Sequence, residues 1–415
     1  MNEISPLERD LLIAYDFPPM GGGIARWMAA MAERYAPGTL TVSTGTLEGS
    51  DATDSAFPQR IDRIAVPAER LRTVPGLLAW SRRAVALAAN PAVRFAWCDS
   101  VRPAGYPARW AYRRTGLPYG IVVHGGDLLT LRQRMERSRF KHGVMRSILH
   151  HAAVSVANSR WTAERCRDLL HDVGLPHAAS RIRVVPLGTD PVRWRFDADA
   201  AAAFRAKRSL PDGRWLVTVA RMVEYKGIDS AIRIVAELAA IIPDLQYAVV
   251  GRGGHHDVLR DLATGLGIGD RVHFLTDVGD DELAAAYSMG TAYVGLTRET
   301  PSDVEGFGIS FVEAAACGLP VIATRTGGIR DAVGDGETGL LFDPADLAGA
   351  TAALGQLLRD PSQARRMGLA GRQRVERHLN WDRVVRDMQR IAEEAGRRAA
   401  RQMAHRQTGQ DYLRK

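Results

Sequence analysis

Short apolar, β-branched runs alternate with amphipathic stretches along the whole chain, a rhythm that predicts α/β layers around parallel sheets. Leu11-Leu12-Ile13-Ala14-Tyr15 predicts a first strand, broken by Asp16-Phe17-Pro18-Pro19 and a glycine triplet, with a helix from about Ile24 to Tyr35. Further strands are expected at Ile61–Val66, Phe95–Cys98, Tyr119–His124, Ala153–Ala157 and Ile182–Val185. The segment Pro186–Arg205, with Pro191 and polar interruptions, reads as a hinge. A second cycle opens at Trp215–Ala220 and continues with a helix near Ile228–Ile241. Its strands are expected at Tyr247–Val250, Val272–Leu275, Ala292–Leu296, Val321–Ala323 and Leu340–Phe342, followed by helices from Asp346 to about Ala404. The pattern therefore predicts an α/β fold of two Rossmann-like domains facing a central cleft, with ligands at the carboxyl ends of the strands.

Composition changes this picture little. The chain has 415 residues, enough for two or three domains with their own cores. Three scattered cysteines, Cys98, Cys166 and Cys317, lack metal spacing and suit a reduced compartment. No apolar run approaches the roughly 18 residues of a spanning helix, and the first residues lack the basic and apolar regions of a leader. A cytoplasmic protein is expected, free or peripheral on the inner face of the membrane. The net charge of +8 permits nucleic acid, anionic lipid or phosphorylated ligands. No motif interleaves the basic residues with aromatics as nucleic-acid binding requires, so no nucleic-acid partner is expected. The stretch 131–150 places Leu131, Met135, Phe140, Val144, Met145 and Ile148 among many basic residues. It predicts a basic helix that either packs its apolar side inward or lies on an anionic membrane surface.

Chemistry concentrates in DVEGFGISFVEAAACGLPVIAT, residues 303–324. Glu305 stands in a loop before Gly306-Phe307-Gly308, and Glu313 lies inside the apolar run that follows. A glycine-flanked helix start binds anions, because its first N–H groups have no partner and its dipole favours negative charge. With carboxylates beside it to accept hydroxyl hydrogen bonds, such a tip suits a phosphorylated sugar compound. Arg221 and Lys226 follow the strand Trp215–Ala220 and offer a planar fork and a point charge to a diphosphate, or else form a solvated pair near Glu224. Gly21-Gly22-Gly23 lies between strand and helix, where backbone approaches a phosphate or simply turns. Gly251-Arg252-Gly253-Gly254 lacks the third glycine of a dinucleotide fingerprint, and Arg271 stands where an acidic ribose ligand belongs, so NAD and FAD are excluded. His124 ends a strand in VVHGGD, equally a turn residue or a ligand contact, and Ser159 after Asn158 suits a helix cap. No His/Cys cluster or Asp-x-Asp pair is placed to hold a metal.

Taken in order, these motifs resemble those of the family 4 retaining glycosyltransferases, which have the GT-B fold, over almost the whole chain. FPPMGGGI is similar to the family's first glycine-rich loop, VVHGGD to its His-Gly segment, and ANSRWT to its Asn-Ser segment. PLGTD is similar to its Pro-x-Gly-x-Asp segment, ARMVEYKG to its Arg…Lys pair, and EGFGISFVE to its Glu-x7-Glu motif. The resemblance implies that Arg221 and Lys226 bind the donor diphosphate and stabilise the leaving nucleotide. It implies that Glu305, Gly306, Phe307 and Gly308 contact the transferred sugar, that Ile309 and Ser310 offer N–H groups to the phosphates, and that Glu313 holds the ribose. His124 would sit beside the sugar, Gly22 and Gly23 would approach the phosphates, and Asp16, Asp127 and Asn158 are the acceptor-side candidates.

The combination DVEGFGI with FPP and GGI is especially similar to the phosphatidylinositol mannoside mannosyltransferases, which points to GDP-mannose. Thr276-Asp277 and Arg252 depart from the family's pattern where a base would be recognised. The resemblance implies an acceptor-side domain at 1–188, a nucleotide-sugar domain at 189–382 and a helix at 383–404 packing back on the first domain; the terminal residues 405–415 are expected to form a disordered basic tail. It further implies transfer of a hexosyl group to the hydroxyl of a glycan, glycolipid or small molecule, with no cofactor and no metal. A sugar-nucleotide epimerase of the same architecture and a non-catalytic nucleotide-sugar or polyanion binding module are the alternatives.

Overall fold

The computed structural model describes residues 9–301 and 303–412, without the side chains of Arg134, Glu136 and the residues from 402 on. Its first sheet contains β1 (Arg9–Ile13), β2 (Leu40–Thr46), β3 (Arg60–Pro67), β4 (Val93–Cys98), β5 (Tyr119–Val123), β6 (Val154–Ala157) and β7 (Ile182–Val184). Its second contains β8 (Arg214–Val219), β9 (Leu245–Val250), β10 (Val272–Leu275), β11 (Ala292–Gly295), β12 (Val321–Thr324) and β13 (Gly339–Phe342). The spatial orders are β3-β2-β1-β4-β5-β6-β7 and β10-β9-β8-β11-β12-β13, and neighbouring strands run parallel. Strands such as β5 (YGIVV) and β9 (LQYAVV) are buried throughout, as parallel strands covered on both faces must be. Trp80, Trp97 and Tyr119 fill the first core, and Tyr247 with Ile232, Val235 and Leu354 the second.

Each sheet reverses its order once, between β1 and β4 in the first and between β8 and β11 in the second. At such a switch point the two outgoing loops diverge and leave a crevice at the strands' carboxyl ends. The loops after β1 and β4, and those after β8 and β11, border these crevices.

The chain forms two compact units, residues 1–185 with 382–415, and residues 186–381. The last helix, Trp381–Tyr412, lays Val384, Val385, Met388, Ile391 and Ala392 into buried positions. Its charged flank meets the first unit where Asp382 accepts from Arg34 Nε at 2.9 Å and Glu393 lies 3.8 Å from Arg94.

Three expectations need correction. Leu40–Thr46 is a buried strand that the apolar pattern did not reveal, because Thr41, Ser43 and Thr44 occupy interior positions. Trp80 Nε1 donates to Ser43 Oγ at 3.1 Å, one way in which such a hydroxyl is accommodated inside. The expected hinge 186–205 runs into a helix, Ala198–Lys207, capped by Asp197, whose carboxylate accepts from Ala200 N at 2.9 Å. The last helix continues through 405–412, where a disordered tail was expected, since no proline interrupts this stretch; residues 413–415 lie outside the described residues.

Candidate functional site

In the second unit, a short 3-10 turn, Glu224–Lys226, follows β8 and ends at Gly227. Gly227 has φ +64°, and a Cβ there would lie 1.7 Å from the carbonyl oxygen of Leu296, just past β11. Only glycine permits this approach, and it brings the loop after β8 against the loop after β11. Lys226, from the first loop, consequently forms an ion pair with Glu305, from the second. Burial pulls the Lys226 ammonium down, but the charge of Glu305 and the hydroxyl of Tyr225 outweigh it and leave the pKa raised. Lys226 is therefore a firmly held cation. Arg221 is exposed, and its Nη2 donates to Tyr225 Oη at 3.2 Å. Among the described residues no carboxylate pairs with Arg221.

Gly308 (φ +87°) precedes the helix Ile309–Ala316 and provides no side-chain cap. A Cβ on Gly308 would meet the Phe311 ring at 2.3 Å, so the left-handed turn and the ring packing both demand glycine. Phe307 is buried, whereas Ile309 and Ser310 at the helix tip are partly exposed. Ser310 Oγ accepts from Tyr293 Oη at 2.8 Å, and Tyr293 also reaches the Val219 carbonyl at the end of β8, at 3.3 Å. The helix tip is thus tied to the same strand end that carries Arg221. Glu313, two per cent exposed, accepts from Tyr287 Oη at 2.9 Å. Tyr287 and Tyr293 position the candidate residues, yet nothing in the sequence marked them; both belong to the buried aromatic set.

In the first unit the switch point is organised by Asp99, which follows β4 and is fully buried. Its Oδ2 accepts from the backbone N–H groups of Tyr15 at 2.6 Å and Asp16 at 2.8 Å, and its Oδ1 accepts from Ser100 Oγ at 2.7 Å. Its own carbonyl lies 2.6 Å from His124 Nε2, which fixes the ring. Burial, and then the charge of Asp16, push the Asp99 carboxyl up to about 7 against these hydrogen bonds. Burial also raises Asp16, while His124 and Arg72 draw it back. Asp99 therefore joins two candidates, Asp16 and His124, and sequence reasoning missed it because no motif surrounds it.

Asp127 Oδ1 accepts from the N–H groups of His124 at 3.0 Å and Leu128 at 2.9 Å, while its Oδ2 is buried without a partner. Asn158 is buried, with Nδ2 3.5 Å from the His124 carbonyl and Oδ1 unpaired. Ser159 caps the helix Arg160–Asp172 through Thr162 N at 3.1 Å. Gly22 and Gly23 are exposed at the start of the helix Gly23–Arg34, which has no side-chain cap, and no protein atom occupies the space a Cβ would take at either. A cavity of about 230 Å³ includes Arg72, Arg102, Tyr106, Asp127 and Thr130 in its lining. Arg102 Nε is buried there without an acceptor. The sequence flagged Asp127 alone among these.

The candidates thus fall into two groups on two units: Arg221, Lys226, Glu305 to Ser310 and Glu313 on one, and Asp16, Gly22, Gly23, His124, Asp127 and Asn158 on the other. The expected basic helix at 131–150 is two helices, Gly126–Glu136 and Arg139–His151, divided where Ser138 turns to an extended conformation and caps the second. Leu131, Met135, Met145 and Ile148 are buried, so most of the apolar side packs inward; Phe140 is 81% exposed. Among the described residues no helix is long and apolar enough to cross a membrane, and no group of three or more His, Cys, Asp or Glu could hold a metal ion.

Two doubly wound parallel sheets lie in separate units, with two cations and an uncapped helix tip at the switch point of the second. Comparison with known proteins gives the family. Residues 201–374 match the model of glycosyl transferases group 1, and residues 21–193 match that of glycosyltransferase family 4. Over 396 residues the chain is 31% identical to the GDP-mannose-dependent alpha-(1-6)-phosphatidylinositol monomannoside mannosyltransferase of Mycolicibacterium smegmatis, covering 94% of this chain and all of that one. It is 35% identical over 244 residues to the D-inositol 3-phosphate glycosyltransferase of Acidothermus cellulolyticus, covering 56% of this chain and 52% of that one. The fold is similar to Anabaena Alr3699/HepE in complex with UDP and glucose (TM-score 0.74, 17% identity, 93% of this chain and 100% of that one). It is likewise similar to sucrose-phosphate synthase from Thermosynechococcus elongatus (TM-score 0.73, 23% identity, 93% and 99%). The chain belongs to the family 4 glycosyltransferases.

Proposed function

We propose that the protein transfers a mannosyl group from GDP-mannose to a hydroxyl of a phosphorylated polyol, free or lipid-linked, with retention at the anomeric carbon and without a metal. The observation that carries this reading is the convergence of Arg221, Lys226 and the uncapped tip of Ile309–Ala316 on the second switch point. As the bond from the sugar's anomeric carbon to the diphosphate breaks, negative charge grows on the departing phosphate. Fixed cations and N–H groups already in place stabilise that charge without reorganising, and they take over the part a metal plays elsewhere. Lys226 exchanges Glu305 for the diphosphate, which frees Glu305 to accept from a sugar hydroxyl. The acceptor hydroxyl attacks from the same face, its proton passes to the leaving phosphate oxygen, and GDP departs. Glu313 takes the ribose hydroxyls.

The acceptor side rests on the cavity of the first unit. Arg72 and Arg102 supply positive charge for a phosphate, and Asp127 Oδ2, buried and unpaired, accepts from a polyol hydroxyl. Similarity to a phosphatidylinositol monomannoside mannosyltransferase and to a D-inositol 3-phosphate glycosyltransferase supports both the donor and this class of acceptor. No observation favours an epimerase or a binding module without turnover.

The test is GDP release from GDP-mannose in the presence of EDTA, with phosphatidylinositol or inositol 1-phosphate as acceptor and NMR of the product linkage. An α-mannoside formed at an undiminished rate in EDTA is expected. Dependence on added divalent metal, a β-linked product, or turnover confined to UDP-sugars would each remove the corresponding part of the proposal.

A further inference from the structure

Between Arg221 and Lys226, in the turn after β8, stands the buried side chain of Tyr225. Its backbone is fixed by the neighbouring loop: the Tyr225 carbonyl accepts from Arg298 N at 2.8 Å, and Arg298 Nε donates to the Glu224 carbonyl at 3.2 Å. Arg298 is held in turn by an ion pair with Asp229. The Lys226 ammonium lies 4.9 Å from the centroid of the Tyr225 ring, whose negative face adds to the hold of Glu305 on that charge. The phenol oxygen accepts from Arg221 Nη2 at 3.2 Å and also helps to hold the Lys226 charge. Phenylalanine would make every contact here except those of the oxygen, which alone require tyrosine.

The hydroxyl's own proton is not used by these contacts. A phenol both accepts and donates, and once its oxygen accepts from the guanidinium the O–H is left to donate. Among the described residues no acceptor takes that proton. The guanidinium draws electron density from the oxygen and so makes the O–H a stronger donor. A donor without an acceptor on a buried side chain is costly, and an anion beside the guanidinium relieves that cost. A phosphate oxygen held by Arg221 at about 2.8 Å is within reach of a hydroxyl that stands 3.2 Å from the same guanidinium. Resting on the transfer reading above, we propose that Tyr225 is a further catalytic residue, whose hydroxyl donates a hydrogen bond to the diphosphate oxygen that gains charge as the sugar leaves. No proton is transferred; the bond strengthens as the charge grows and breaks when the nucleotide departs. Two cations supply charge at this switch point, and Tyr225 adds a neutral donor with a fixed direction.

Tyr225→Phe keeps the ring against Lys226 and removes the hydroxyl alone. The expected result is a fall in kcat of about ten- to a hundredfold with donor KM changed less than about threefold, because the bond matters most where the charge is greatest. Arg221→Ala separates donation from mere steadying of the guanidinium. A hydroxyl that only positions Arg221 has no effect once Arg221 is gone, whereas a donor in its own right has one. Tyr225→Phe should therefore lower kcat at least about fivefold further in the Arg221→Ala background. No loss in either background, or a loss that vanishes with Arg221→Ala, would overturn the proposal. Should the wild type release no GDP with any acceptor, the transfer reading fails separately, and calorimetric titration with inorganic pyrophosphate decides the hydroxyl. Binding at least tenfold weaker in Tyr225→Phe sustains it; binding equal to the wild type, or none by either, overturns it.

Discussion

The two switch points use one topology in opposite ways. In the second unit the charged groups face each other: Lys226 and Glu305 are paired, Tyr287 and Tyr293 hold Glu313 and Ser310, and two glycines lock the loops. In the first unit polar groups are left waiting: Asp127 Oδ2, Asn158 Oδ1 and Arg102 Nε are buried without partners, and buried Asp99 holds the loop after β1. On the proposed function, the second site meets the same diphosphate in every turnover and can be preorganised around its charge. On the same proposal the first site takes one particular acceptor, and its unsatisfied groups discriminate against molecules that cannot pair with them.

Three substitutions would break or sharpen this contrast. The largest effect is expected for Lys226→Ala, which removes a preorganised cation and leaves Glu305 unpaired. Transfer should fall about a hundred- to a thousand-fold in a chain that still folds, with a lowered urea midpoint because Glu305 loses its partner. Activity near the wild type would show that the second switch point is not the charge-stabilising centre. Next comes Glu313→Gln, which keeps the shape and the bond from Tyr287 but loses the charge. A rise in donor KM of about tenfold, with kcat nearly unchanged, is expected for a group that binds ground and transition states alike. A fall confined to kcat would move Glu313 from ribose binding to the reacting centre.

The smallest effect is expected for Asp99→Asn, read in stability against pH. Asp99 titrates at about 7 in the folded chain against an ordinary 3.8, so the folded state favours the protonated form. Its contribution is fully present below about pH 4 and is lost as pH rises through about 7. Urea midpoints at pH 5 and pH 8 should therefore differ less in Asp99→Asn than in the wild type. An unchanged difference would mean that Asp99 does not set the state of the loop carrying Asp16.

Legibility in the sequence follows the same divide. Lys226 and Glu305 stand 79 positions apart, yet each sits in a compact run of glycines and charges, so the second switch point could be read directly. Parallel strands such as β5 and β9 were visible because burial on both faces demands unbroken apolar runs. β2 was hidden because its buried Thr and Ser residues look polar on paper, and Trp80 Nε1 was needed to show where the Ser43 hydroxyl goes. Asp99, Arg72, Arg102 and Tyr106 were equally hidden. Asp99, Arg102 and Tyr106 lie in one stretch after β4 that no glycine or charge cluster marks, and Arg72 comes from the turn after β3, so only the fold sets it beside them. Tyr287 and Tyr293 looked like core aromatics, which they are; their hydroxyls reveal a second task.

The division of the chain has a consequence for modularity. The first unit is left at Val185 and re-entered at Asp382, so the second unit is a guest inserted into a host rather than a C-terminal half. Its two ends are stitched side by side: Thr189 bridges to Asn380, and Gly188 packs so closely on Asn380 that a Cβ would lie 2.4 Å from its carbonyl carbon. A guest whose entry and exit adjoin can be exchanged as one cassette. A split at residue 185 would instead deprive the host of the helix bearing Val384, Met388 and Ile391, and bare the apolar bed on which that helix rests. Exchanging the second unit therefore means replacing 186–381 as a block and keeping the final helix with its host.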